Sequence, residues 1–403
     1  MKKITAFLLS ALLLFTFTAC GSMAGGYDLE KINDGLVEAN SKFAFEIFRE
    51  LNREDNHSSV FISPFSITAA LTMTYNGAET TTKEAMEKAL GFDSLDRGEV
   101  NESFQNLLNY LERIDKKIEL NIANSIWIRE GIGIKEDFLA NNERVFQAEI
   151  DYLDFSKEAS VDAINGWIAD ATRKKIEKML EGPIDPSTIL FLINAVYFKG
   201  QWSEQFDPKL TFDGVFKAYN GEEQTVKMMS RNGKVEYTEG EDYKAVRLPY
   251  GSGKVSMYCI LPEEGLDILE FLNTLNVEKW NEIRESVREV DDVRLQIPRF
   301  KLEYGIKELN DSLIALGMGE AFGPLADFSG MREGLYIDKV LHKAVIEVNE
   351  EGSEAAAVTV VVTTESAAIE PVAFVADRPF VFVIADDTTG TILFMGKLLS
   401  VEQ

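Results

Sequence analysis

Histidine and cysteine are nearly absent from this 403-residue chain, with two of each. With only His57 and His342, a catalytic triad or a multi-histidine metal centre has little material. Cys20 and Cys259 are too few for a disulfide framework, so the fold must rest on its apolar core. Proline is scarce as well, 10 residues well spread. No low-complexity linker and no internal repeat divides the chain, which reads as one large unit. Basic residues are outnumbered, 41 Lys and Arg against 67 Asp and Glu, a net charge of −26. That balance argues against nucleic acid, and against charge-driven adhesion to anionic lipid. No Gly-x-Ser-x-Gly elbow and no phosphate loop occurs; Gly251-Ser-Gly253-Lys254 lacks the spacing and reads as a turn. From Ala344 through Asp377 there is neither Lys nor Arg.

Within that uncharged-to-acidic stretch lies the most informative segment. Between Gly352 and Pro371 no Gly or Pro forces a turn, and the middle is rich in Val and Thr, which favour extended pairing. Read with period two, Ser353, Ala355, Ala357, Thr359, Val361 and Thr363 form one face. Those side chains are small and near-neutral, as a strand entering a tight interior requires. The other face carries Glu354, Ala356, Val358, Val360, Val362 and Thr364. The segment then runs into Thr364-Glu-Ser-Ala-Ala-Ile-Glu370, a polar, small-residue loop. Half strand and half bait, it suggests a conformational trap.

Elsewhere the amino-terminal third reads mostly helical, and from there helices and strands alternate. Apolar spacing predicts helices over Gly35–Asn52, from Ser63-Pro64 to Asn76-Gly77, over Phe104–Ile114 and Phe138–Phe146, and over Ser160–Leu180, which holds Trp167. Thr81-Thr-Lys-Glu84 has the pattern of a capping box ahead of Ala85–Leu90. Strands are expected at Leu120–Ile128, Ile189–Tyr197, Ala245–Leu248, Lys254–Leu261, Val293–Pro298, Ala344–Val348, Phe380–Ile384 and Thr391–Leu398. The Ile189–Tyr197 run is almost wholly apolar, as in a strand covered on both faces. Asn194 inside it needs a buried partner, and His342 is the candidate. Cys259 sits in a buried-strand pattern and reads as a small core hydrophobe.

Residues 1–20 read as an export signal. Lys2 and Lys3 precede the apolar run Ile4–Phe17, too short to span a bilayer comfortably. The end, Phe17-Thr-Ala-Cys-Gly21, resembles a lipoprotein processing site, which would make Cys20 the lipidated first residue of the mature chain. An ordinary signal cleaved after Ala19 is the alternative. Residues 21–30 then form a flexible tether, and 31–403 a single domain.

Several segments together resemble the serpins across nearly the whole mature chain. They are Val60-Phe-Ile-Ser-Pro-Phe-Ser-Ile67, Ile193-Asn-Ala-Val-Tyr-Phe-Lys-Gly-Gln-Trp202, Ile337–Glu347, Glu350–Ala357, Arg378–Ile384 and Phe394-Met-Gly-Lys397. Each is weak alone; their order and spacing are specific. The resemblance implies an α+β serpin fold, with helices around a large central mixed β-sheet, further smaller sheets, and an exposed reactive-centre loop at about 350–375. It implies a monomeric protease inhibitor rather than an enzyme, with no cofactor and no metal. Its partners would be serine proteases of elastase-like or subtilisin-like small-residue preference, held in a covalent 1:1 complex. The product would be exported and held at the cell surface by lipid on Cys20, or simply secreted.

By the same resemblance, Ser63, Ser66, Asn194 and His342 map to a polar cluster beneath the opening sheet, the shutter. Trp202 belongs to the breach, where insertion begins. The hinge comprises Glu350, Gly352, Ser353, Glu354, Ala355, Ala356 and Ala357. Counting forward from Glu350 puts the scissile bond at Ser366–Ala367; counting back from Pro379 puts it at Ala368–Ile369. The forward count is preferred, because the hinge sets the length that inserts. His342 as a catalytic base is set against a hydrogen-bonded structural role, which is favoured. A non-inhibitory, binding or chaperone-like protein of the same fold is the alternative function, and Ala355-Ala-Ala357 argues against it.

Overall fold

The computed structural model describes residues 26–185, 188–352 and 372–401. The expected signal, Cys20, and the loop from Ser353 onward, including Glu354, Ala355, Ala356, Ala357, Ser366, Ala367, Ala368 and Ile369, therefore lie outside the described residues. Of the expected tether, 26–30 are described. Asp28 is already tied to the body, its N–H donating to Asn106 Oδ1 at 2.8 Å.

The main helices are α1 (Asp34–Glu54), α2 (Pro64–Tyr75), α3 (Thr80–Leu90), α4 (Arg97–Leu111), α5 (Glu136–Phe146), α6 (Glu158–Ala171), α7 (Ile268–Thr274) and α8 (Val277–Ser286). The strands are β1 (Val60–Ile62), β2 (Ile118–Arg129), β3 (Glu149–Leu153), β4 (Leu190–Gly200), β5 (Phe212–Lys217), β6 (Glu223–Glu239) and β7 (Tyr243–Tyr250). They continue with β8 (Val255–Pro262), β9 (Arg288–Pro298), β10 (Phe300–Glu308), β11 (Lys339–Val348), β12 (Ala373–Val375), β13 (Phe380–Asp386) and β14 (Ile392–Leu398). Nine strands form one sheet, in the order β1-β14-β13-β8-β7-β6-β9-β12 with β5 beside β6. Five form a second, mixed sheet in the order β10-β11-β4-β2-β3. This is the α+β architecture expected, with the five-stranded sheet as the one that carries the polar cluster.

Composition explains the packing of that sheet. Every residue of α2 is buried, and such a helix must be covered on all sides; it lies against β2, β4 and β14. On the opposite face a second core joins Leu341 and Val345 of β11, Phe191 and Ile193 of β4, and Trp127 of β2 to Ile164 and Ile168 of α6. Helix α6 packs on β2 over this second core. Cys259 is fully buried in β8, and burial pushes its thiol pKa up.

Three local expectations need correction. The helix expected over Ser160–Leu180 ends at Ala171. Arg173 and Lys174 adopt left-handed φ values of 51° and 62°, and the remaining chain is clasped by Asn165, whose Oδ1 accepts from Met179 and Leu180 N–H at 2.8 and 3.0 Å. The capping box at Thr81–Glu84 does not form: α3 starts at Thr80 after Glu79, with no side-chain cap. A capping box stands instead at Asp96 and Glu99, starting α4 seven residues before the expected Phe104. Strands β1, β3, β5, β6, β10 and β12 and helices α7 and α8 were not anticipated; in β5, β6 and β10 the exposed faces are charged and the apolar residues alternate too sparsely to form a run.

Candidate functional site

Strands β11 and β4 run parallel at the centre of the five-stranded sheet, with Lys339 opposite Phe191 and Val345 opposite Tyr197. That ladder ends at Val345 and Tyr197, although β11 continues to Val348 and β4 to Gly200. The seam is therefore already open at this end, among the described residues.

At the closed part of the seam a polar row crosses three strands. His342 is the register partner of Asn194, and Asn194 of Asn124. The Ser63 N–H donates to His342 Nε2 at 3.1 Å, so the imidazole proton sits on Nδ1 and donates to Asn194 Oδ1 at 2.7 Å. Asn194 Nδ2 donates to Asn124 Oδ1 at 2.8 Å and to Ser66 Oγ. Ser63 Oγ donates to Leu393 O at 2.7 Å and accepts from the Ser66 N–H at 3.4 Å. The structure thus brings Ser63, Ser66, Asn194 and His342 into one buried cluster, and His342 is the buried partner that Asn194 required. Ser63 also caps α2, whose first residue is Pro64. Asn124 was missed. Its signal was an amide in the apolar phase of the Leu120–Ile128 alternation, beside Ile122 and Ile126.

Burial alone holds His342 neutral, with its pKa lowered to about 3. A histidine whose folded pKa lies below its unfolded value loses stability as pH falls through the window between the two. Between pH 7 and pH 5 this group should cost about 2 kcal/mol of unfolding free energy. Denaturant unfolding at the two pH values should show that loss in the native chain and a much smaller one in His342→Gln. Equal losses in both chains would remove His342 as the cause.

At the open end the chain reverses immediately after β11. Asn349 N–H donates to Gly352 O at 2.9 Å, and Gly352 N–H to Asn349 O at 3.2 Å, which closes a tight reversal around Glu350 and Glu351. Gly352 then makes an antiparallel bridge to Gln201, just beyond β4. Only glycine fits: φ is +131°, and a Cβ would lie 2.1 Å from Gly200 O.

Glu350 is fixed from two sides. Arg299 Nη2 donates to both its carboxylate oxygens at 2.6 Å and Thr211 Oγ1 donates at 2.7 Å. Burial pushes the carboxyl pKa up, but these hydrogen bonds outweigh it and hold it below the usual range. Trp202 stacks on Tyr250, centroids 4.3 Å apart, and its Nε1–H donates to Asn349 O at 2.9 Å. The backbone N–H groups of Trp202 and Phe206 donate to Glu351 O and Glu350 O, both at 2.8 Å. Glu350, Gly352 and Trp202 therefore meet at one point. Arg299, Thr211 and Gln201, which complete it, carried no sequence signal, since nothing local marks a residue that acts across 50 to 150 positions. Among the described residues no group of three or more His, Cys, Asp or Glu could hold a metal ion.

The site is thus a mixed sheet with an unzipped parallel seam, beside a chain that turns back towards that seam. The family model for serpins, serine protease inhibitors, matches residues 38–401, and the chain belongs to that family. It is 36% identical to the leukocyte elastase inhibitor of Sus scrofa, over 91% of this chain and 99% of that one. It is likewise 36% identical to a serpin-like protein of Methanosarcina acetivorans, over 90% and 87% of the two chains. Among solved structures it resembles the thermophilic serpin tengpin in its native state, with a TM-score of 0.84, 34% identity, and 92% and 95% of the chains covered. It also resembles human thyroxine-binding globulin with thyroxine bound, with a TM-score of 0.84, 28% identity, and 91% and 99% covered. Membership implies protease inhibition rather than enzymatic activity, with serine proteases as partners.

Proposed function

We propose that this serpin is a suicide-substrate inhibitor of serine endopeptidases with elastase-like or subtilisin-like preference for small residues. The observation that carries this reading is the reversal at Asn349–Gly352 with its bridge to Gln201. A strand continuing from that turn would run antiparallel to both β11 and β4, and could pair with each of them.

The protease serine attacks the carbonyl carbon of Ser366, the bond to Ala367 breaks, and the new amino terminus of Ala367 departs with the transferred proton. The segment from Ser353 is now free at its far end and enters the seam, carrying the acyl-enzyme with it. Pulling the protease from its resting geometry withdraws the water-activating machinery before the ester is hydrolysed. As β11 and β4 part, the His342–Asn194 hydrogen bond breaks, and the apolar core that Leu341 and Ile193 share with α6 must rearrange. Small residues at Ser366, Ala367 and Ala368 suit a shallow specificity pocket, and the elastase inhibitor among the relatives supports that preference. The absence of Lys and Arg from Ala344 through Asp377 argues against trypsin-like partners.

Mixed with an elastase or a subtilisin, the chain should give a denaturant-resistant adduct with the summed mass of inhibitor and protease. Clean cleavage of the loop with no adduct at any ratio would refute trapping. We further place the protein outside the cell on a lipid carried by Cys20; a Cys20→Ala chain that still takes up labelled fatty acid would contradict that.

A further inference from the structure

Behind the hinge, the segment from Trp202 to Phe206 roofs a cavity of about 130 Å3 whose walls include three cations, Arg231, Lys234 and Arg247, and three carboxylates, Glu204, Glu236 and Glu289. Arg231 is its unusual member. The guanidinium is only 15% exposed and lies 5.3 Å over the Phe206 ring. Its Nη1 donates to Glu204 O at 2.9 Å and to the Glu204 carboxylate at 3.0 Å. Its Nε is buried without a hydrogen-bond partner. Glu204, the counter-charge, is itself 70% exposed. The cation is thus inside and its anion outside. Burial lowers the guanidinium pKa, and Glu204 only partly opposes it.

The other cations at the wall are placed differently. Arg247 is already held by Glu236 at 2.5 Å and Asp387 at 2.9 Å. Lys234 pairs with Glu289, but both side chains are more than 60% exposed, at 63% and 62%, so that pair is labile. Of the three cations, Arg231 alone is buried with an exposed counter-charge and an unpartnered Nε, and Lys234, whose partners Glu289 and Asp291 are both exposed, can swing in.

We propose that this cavity binds a small oxyanion, inorganic phosphate or the carboxylate of a small organic acid, and that its occupancy slows entry of the reactive loop into the sheet. The volume admits such an ion and excludes a nucleotide or a peptide. Displacing the Glu204 carboxylate into water costs little, because exposed ion pairs are weak. Regulation follows from position: Trp202 and Phe206, which wall the cavity, also hold Glu351 O and Glu350 O through their backbone N–H groups. An anion that ties Arg231 to this segment stiffens the support from which the hinge must swing. This second half rests on the trapping reading above; the site itself does not.

Calorimetric titration of the full chain with phosphate, and separately with malonate, at constant ionic strength set by sodium chloride tests the site and distinguishes the two ligand sources. Glu204→Gln removes a competing carboxylate from an exposed position and should tighten binding about fivefold. Arg231→Gln should weaken it at least about tenfold. Equal affinities in all three chains overturn the site. A fluorescent peptide with the sequence of residues 353–364, offered to the intact protein, reads sheet opening without any protease. Its annealing rate should fall in proportion to phosphate occupancy. Binding with an unchanged annealing rate overturns the regulation. A peptide that never anneals counts against trapping and the regulation built on it, while the titration still decides the cavity.

Discussion

Cutting the chain between Ser366 and Ala367 should raise its melting temperature by roughly 10 °C or more over the intact protein. Before the cut, the segment after Gly352 is held at both ends, by the hinge and by β12. After it, that segment can add a strand between β11 and β4, whose edges face each other without pairing above Val345 and Tyr197. Roughly ten new backbone hydrogen bonds at about 1 kcal/mol net each give a gain on the order of 10 kcal/mol, before burial of Val and Thr side chains is counted. For a chain of this size that converts to about 10–15 °C. Thermal melting of intact and nicked protein, monitored by circular dichroism, reads it directly. A nicked chain that melts at or below the intact temperature would end the trapping account.

Ser353→Arg should turn the inhibitor into a substrate. Residue 353 is the first beyond the Gly352 bridge, and the period-two reading puts it on the face that must enter the sheet. By the register of the Gly352–Gln201 bridge, a guanidinium there would lie opposite Gly200 at the upper end of β4 and be drawn between the two strands. Removing such a charge from water costs several kcal/mol, enough to slow insertion about a hundredfold or more. The protease would then complete hydrolysis and leave. The expected readout is loss of the covalent adduct with loop cleavage retained, and Ser353→Thr should restore the adduct. Adduct formation by the Arg variant at the native rate would show that residue 353 never enters the sheet.

Much of the central sheet was legible because its strands obey strong local rules. Ile189–Tyr197 is apolar on both faces, and Asn194 stands out within it. The Ser-Pro step at residues 63–64 marks the start of α2 as plainly as any local pattern can. Strands β5, β6 and β10 were not legible: they present charged residues to water, and a strand with one wet face leaves only a thin alternation. Helix α6 misled because its amphipathic spacing continues past Ala171 into a segment whose apolar residues, Ile176 and Met179, are buried without a helix. The hinge turn was visible in Gly352. Its anchors were not, because Arg299 and Thr211 act on Glu350 across the fold, and pairwise electrostatics at a distance leaves no trace in a window of sequence.

Gly352 already touches Gln201 in the uncut molecule, and this changes what the race with the protease is about. Assembling a new strand is ordinarily limited by its first contact, the step that fixes chain for little return. Here that toll has been met during folding, like a zip whose slider is seated before anyone pulls. On the trapping account proposed above, the contest after acylation is one of travel rather than of starting, and its pace is set by how fast the β11–β4 ladder opens rung by rung.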